Sequence, residues 1–68
     1  MNICLFTSEE ISKPLNKSDE RAQHIIKVLH KTTGDTFDAG IIGGAAGIAQ
    51  ITEISGDGQI SFSFVPKT

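Results

Sequence analysis

The sequence predicts a small, mainly β domain of α+β class, with one helix after the first strand and a meander of three strands that closes into a barrel. Three observations lead there. The chain has 68 residues, which makes one domain at most and leaves a small core. Only one stretch, about residues 19–31, places apolar side chains at helical spacing. Beyond Gly34 the chain is a series of β-prone stretches separated by glycine turns.

The run Met1 to Phe6 (MNICLF) is apolar, with β-prone Ile3 and Phe6, and reads as the first strand. Residues 7–17 mix Ser, Thr, Pro and charges. Pro14 interrupts any regular helix or central strand, so this is an irregular connection. Ser18 is placed to cap a helix whose first residues, Asp19 and Glu20, suit the positive end of the helix dipole. Ala22, Ile25, Ile26 and Leu29 then form one apolar stripe at i, i+3, i+4 and i+7. His30 and Lys31 favour the helix C-terminus, and Gly34 is the expected residue past its end.

Residues 35–42, 47–54 and 59–65 read as three further strands. Gly43–Gly44 and Gly56-Asp57-Gly58 form the turns between them, since glycine accepts the positive φ that tight hairpins require. Alternation is clearest in the last strand, with Ile60, Phe62 and Phe64 on one face and Ser61 and Ser63 on the other. A flat sheet this small would leave its edges exposed. Closure into a barrel, with Ile25, Ile26 and Leu29 plugging one end, removes them.

Composition narrows the function classes. No apolar run approaches the roughly 18 residues of a bilayer span, and no secretory signal pattern opens the chain. One cysteine, Cys4, allows neither an internal disulfide nor a Cys-only zinc site, which suits a reducing cytoplasm. The formal charge is −2, and the pI of 5.5 lies well below that of a generic nucleic-acid binder, which is above about 9. The charge is unevenly spread, however. Residues 11–31 carry five cations against two acids, a local excess of +3, whereas both flanking stretches are acidic. Any polyanion contact must come from that one patch.

No catalytic constellation is visible. Gly40, Gly43, Gly44 and Gly47 spell G-x-x-G-G-x-x-G, which is neither dinucleotide fingerprint nor P-loop, and they lie between two strands as a hairpin. Cys4 sits in an apolar strand, where a buried inert thiol is the ordinary outcome. His24 and His30 are six residues apart on the helix and cannot share a metal as an i, i+4 pair would. The remaining candidate is the outward helix face, where Gln23, His24, Lys27 and Lys31 lie away from the apolar stripe. Lys27 and Lys31 are like charges at i, i+4, mildly repulsive in isolation, and amines with a ring nitrogen suit phosphate contacts. A simply solvated helix face accounts for the same lysines, and a bond to Glu20 or the loop accounts for His24.

The stretch from Asp19 through Glu20, Arg21, His24, Ile25, Val28 and Leu29 to His30, followed by Gly34-Asp35-Thr36-Phe37, resembles the N-terminal segment of the RsmE family of ribosomal RNA methyltransferases. Those proteins carry a D-E-R-x-x-H-I-x-x-V-L-R helix, then G-D-x-F, a glycine hairpin and a strand like G-x-A-x-I, here Gly47-Ile48-Ala49-Gln50-Ile51. The resemblance spans essentially the whole chain and is most specific over residues 19–51. His30 stands where the family usually has arginine, a group that is always charged and grips phosphate with two parallel donors.

The resemblance implies a single PUA-like RNA-binding domain over residues 1–68 that positions small-subunit (16S) ribosomal RNA. Methylation of N3 of a uridine, the S-adenosylmethionine site and the homodimer interface then belong to a SPOUT domain absent from this chain. The chain alone is expected to be non-catalytic, with no cofactor, metal or membrane contact. Arg21, His24, Lys27, His30 and Lys31 are the expected phosphate contacts, while Val28 and Leu29 are expected to pack inward. The alternative is a free-standing barrel that binds RNA, or an acidic protein partner, without catalysis.

Overall fold

The computed structural model describes residues 3–67; the first two residues of the expected opening strand, Met1 and Asn2, fall outside them. Four strands form one mixed sheet in the order β1-β2-β3-β4. They are β1 (Ile3–Phe6), β2 (Thr36–Ile41), β3 (Ala46–Ile54) and β4 (Ile60–Pro66). The β2–β3 and β3–β4 pairs are antiparallel hairpins, whereas β1 runs parallel to β2. A parallel neighbour requires a long crossover, and residues 7–35 supply it. That crossover holds a 3₁₀ turn (Glu10–Ser12) and helix α1 (Glu20–Gln23), which continues directly as a π turn over His24–Val28. The fold is thus mainly β with one short helix after the first strand. The ladder ends on β1 and β4, with no pairing between them among the described residues. No helix among them is long and apolar enough to cross a membrane.

The sheet is strongly curled. In a flat sheet the backbones of the two edge strands would lie about 14 Å apart, yet the rings of Phe6 on β1 and Phe62 on β4 approach to 5.1 Å between centroids. Phe37 on β2 meets the same Phe62 ring edge-on at 5.8 Å. Small residues on the middle strands make room for these rings: Ala39 on β2 and Gly47 and Ala49 on β3 are all buried. Ile25, from the π turn, is fully buried and joins Ala22 in the core cluster with Phe6, Ile51 and Ile60. The three aromatic and apolar residues of β4 face this core as their alternation predicts, Ile60 fully buried and Phe62 and Phe64 packed against it.

One segment read from sequence as irregular has a definite seat. Leu15 exchanges two backbone hydrogen bonds with Ile60, 2.8 and 2.9 Å, along the outer edge of β4. Its side chain is 3% exposed, so the stretch just before the helix is pinned both by backbone pairing and by apolar burial.

The helix differs from its sequence reading at both ends. Asp19, not Ser18, is the N-cap: it is extended (φ −68°, ψ 133°) and its carboxylate accepts from the Arg21 amide. The Ser18 hydroxyl is instead bonded to the Asn16 side chain at 3.0 Å. At the other end, the Leu29 amide bonds to the His24 carbonyl five residues back, the widened spacing of a π turn. The chain then leaves the helix at His30, whose φ of 54° is left-handed, and the Lys31 amide closes the end on the Ile25 carbonyl. His30 therefore does the job expected of Gly34. Gly34, with φ 92°, serves the separate turn that leads into β2. Val28 is 60% exposed instead of packed inward, since it lies about 100° off the apolar stripe, and Leu29, half-buried, does not join Ile25 and Ile26 in the core.

Two stability predictions follow from this geometry. A Cβ at Gly47 would lie 2.1 Å from the Val65 carbonyl oxygen and 2.6 Å from the Pro66 Cα. Gly47→Ala is therefore expected to cost about 1–3 kcal/mol by overpacking. Gly56→Ala, where a Cβ meets nothing within 4 Å, should stay within about 0.5 kcal/mol in the same urea titration. Equal effects of the two changes would refute the close approach of β3 and β4. His30→Gly relieves a left-handed backbone disfavoured for L-residues by roughly 1–2 kcal/mol, so it should raise the urea midpoint, and His30→Val should lower it.

Candidate nucleic-acid interface

Arg21 is the most heavily committed side chain near the helix. Its Nε donates to Asp19 Oδ1 at 2.9 Å and its Nη2 to Asp19 Oδ2 at 2.7 Å. Glu10 receives a second two-pronged contact, from Nη1 at 3.1 Å and Nη2 at 2.9 Å. The remaining Nη1 donor reaches the Leu5 carbonyl at 2.9 Å. A guanidinium has five N–H donors, and all five are spent within the chain. The guanidinium carbon also lies 4.7 Å from the Phe6 ring centroid, a cation–π arrangement. Arg21 stood among the phosphate contacts expected from sequence. The structure gives it another task, because it cannot offer a donor to a phosphate without breaking one of these bonds.

Electrostatics follow the same bonds. Hydrogen bonds from Arg21, then from the Thr7 amide, hold the Glu10 carboxyl down at about 2. Arg21 likewise lowers Asp19, and the two carboxylates raise Arg21. Glu10 is also one half of a reciprocal turn: the Thr7 amide donates to Glu10 Oε1 at 2.9 Å and the Glu10 amide to Thr7 Oγ1 at 3.1 Å. That is a capping box, T-x-x-E, legible in the sequence as Thr7-Ser8-Glu9-Glu10.

The other expected contacts are free of such ties. Among the described residues the only ion pairs are those of Arg21, so neither Lys27 nor Lys31 is locked onto an acid. The structure nevertheless separates these two. Because the helix ends before Lys31, they do not stand one turn apart on a common face. Lys27, exposed, lines a groove of about 370 Å³ between α1 and the segment pinned by Leu15. Lys17 and Gly58 form the facing wall, Gln23 lies beside Lys27, and buried Ala22 with half-buried Ile26 gives an apolar floor. Lys31, half-buried, lines a second groove of about 270 Å³ with Leu29, Phe37 and Asp38. His24 is half-buried in the π turn, and His30 is exposed at the helix end.

Lys17 is the residue that sequence reasoning passed over. Its place depends on the long-range pairing of Leu15 with Ile60, which carries the following residues to the β3–β4 turn. There a Cβ at Gly58 would come within 3.0 Å of Lys17 Cβ.

The glycine run builds no cofactor cradle. It forms the β2–β3 hairpin: the Gly44 amide donates to the Ile41 carbonyl, Gly40 lies beneath Ile3 and Leu5, and Gly47 abuts the Val65 carbonyl. Gly43, at φ 76°, has open space around it and supplies the positive φ of the turn. Comparison of the chain with protein-family models, with curated proteins and with solved structures returned no match.

The Arg21 cluster predicts acid sensitivity. The carboxyl of Glu10 titrates at about 2 in the folded chain against an ordinary 4.5, so its contribution is complete above about 4.5 and is lost as pH falls toward 2. Thermal unfolding followed by circular dichroism should show the midpoint dropping across that window. Arg21→Met, which removes the cause of the shift, should lower the midpoint at pH 7 and flatten the decline. An undiminished decline in that variant would assign acid lability to other carboxylates.

Proposed function

We propose that this chain is an RNA-binding domain that holds small-subunit ribosomal RNA for methylation of a uridine at N3. In this reading the curled sheet corresponds to a PUA-like barrel whose mouth is covered by α1 and the Leu15 segment. Catalysis, S-adenosylmethionine and dimerisation reside in a SPOUT-type domain outside this chain, in a cytoplasmic enzyme. Lys27, Lys31, His24 and His30 approach the phosphate backbone, and Arg21 contributes by fixing the helix from which they project. The motif from Asp19 to Phe37 supports the link to the methyltransferase family.

The observation that carries the RNA reading is a division of labour among the cations. Arg21 engages Glu10 and Asp19, and the lysines of the helix region are left without ion partners among the described residues. Phosphate contacts of this kind position a protein on RNA without reading sequence, which suits a domain that presents a target base to a catalytic partner.

The test is a filter-binding titration against small-subunit ribosomal RNA at several salt concentrations. Each phosphate neutralised should contribute about −0.7 to −0.9 to the slope of log affinity against log salt. The Lys27→Glu, Lys31→Glu double variant should bind at least roughly tenfold more weakly and reduce the slope by about two contacts. Binding that ignores salt and survives both changes would sink the RNA reading and favour a protein-binding barrel.

A further inference from the structure

We infer that the groove between α1 and Lys17 is the seat of a single unpaired nucleotide. The inference rests on the RNA reading above and names the part of the RNA that this site takes. The groove has cations on both walls, Lys17 and Lys27, and its lining holds no carboxylate. Asp57, in the turn beside Gly58, is within electrostatic reach of Lys17 and is itself engaged by the Ser55 hydroxyl. The second groove, by contrast, sets Asp38 beside Lys31, so Lys31 can meet a phosphate from its outer side but the groove itself has no excess of positive charge.

Between the two amines lies an apolar floor of Ala22 and Ile26. Such a floor offers contact to the flat face of a base, a face that a duplex keeps covered by its stacked neighbours. Gln23 adds an amide with donors and an acceptor, suited to the hydrogen-bonding edge of that base. At about 370 Å³ the groove falls within the range of roughly 300–1,000 Å³ typical of small-molecule sites. An acidic peptide would find the same charges. It would find no open strand edge to pair with, however, because the walls are a helix and a turn whose edge contact is already taken by Leu15 and Ile60. The expected arrangement is a base on the Ala22–Ile26 floor, with its flanking phosphates reached by Lys17 and Lys27.

Fluorescence anisotropy with a labelled, unpaired oligoribonucleotide of mixed sequence tests this, beside the same strand annealed to its complement. The unpaired strand should bind at least about fivefold more tightly than the duplex, and Lys17→Glu should weaken it roughly tenfold, the loss of one phosphate contact together with the repulsion of the new carboxylate. Lys13→Glu makes the same charge change at an exposed residue that does not line the groove, and should cost no more than about twofold by general electrostatics. Circular dichroism confirms that both variants remain folded. Equal losses from Lys17→Glu and Lys13→Glu, or duplex binding as tight as that of the single strand, overturn the nucleotide seat while leaving the RNA reading in place. Absence of binding to either nucleic acid overturns the RNA reading and this inference with it. Displacement of the RNA by an equimolar oligoglutamate would assign the groove to acidic peptides and overturn the inference as well.

Discussion

The guanidinium of Arg21 joins three successive segments of the chain: Leu5 in β1, Glu10 in the 3₁₀ turn and Asp19 at the start of α1. The position of the helix depends on it. Residues alternate in the side to which their amide and carbonyl point along a strand. Since Phe6 bonds toward β2, the Leu5 carbonyl faces the open side of β1. An open strand edge is a template for unwanted pairing, and Arg21 occupies part of it while drawing the helix start over Phe6. Lysine could not replace it, because one ammonium cannot match two flat carboxylates and a carbonyl at fixed angles.

A second constraint works from the other side of the core. Phe6 and Phe62 can meet only if the sheet curls, and it curls around small residues on its middle strands. Ala39, Gly47 and Ala49 keep the interior shallow at its centre, so that rings from the edges fill it. The backbone contact at Gly47 leaves no room even for a methyl group. Curvature brings the two sheet edges toward a common opening, and the opening is covered by the crossover, with Ile25 inserted and Leu15 paired to Ile60. For a chain of 68 residues, this is an economical way to cover a core whose size is limited by its surface-to-volume ratio.

Local chemistry made much of this legible from sequence. The turn glycines and the alternation of β4 follow from spacing alone and sit within a residue or two of their expected places; of the apolar stripe of the helix, Ala22, Ile25 and Ile26 reach the core and Leu29 does not. What spacing could not show were choices settled by competition or by distance. Ser18 and Asp19 are both good caps. The carboxylate prevails because it also binds Arg21, while Asn16 occupies the serine hydroxyl. The π turn leaves no mark in the periodicity, yet the helix that ends with it divides Lys27 from Lys31. The helical projection that paired those lysines assumed 3.6 residues per turn through to the end, and the left-handed His30 breaks that assumption. Arg21 presents the same kind of ambiguity. Its positive charge was evident, but its partners Leu5 and Glu10 are reached only through the fold. The cationic groove is the furthest from sequence view, since Lys17 and Gly58 are 41 positions apart and come together through a bridge at the edge of β4.

For an acidic chain to bind a polyanion, as proposed, its cations must stand apart from its acids. The molecule measures 33 × 20 × 19 Å, and at physiological salt a charge is largely screened beyond about 8 Å. Net charge therefore says little about the field within any one groove; the lining residues decide it. Lys31 shares its groove with Asp38, whereas no acid stands in the lining of the Lys17–Lys27 groove, Asp57 acting on Lys17 only from the adjoining turn. The stronger of the two proposed phosphate seats is thus formed by lysines from two different elements and not by successive turns of one helix. Its existence is conditional on the fold. If the Leu15–Ile60 pairing opens, Lys17 leaves the facing wall and the two charges no longer act on one ligand. The phosphate seat proposed here is in that sense a property of tertiary structure, held by two backbone hydrogen bonds and one buried leucine.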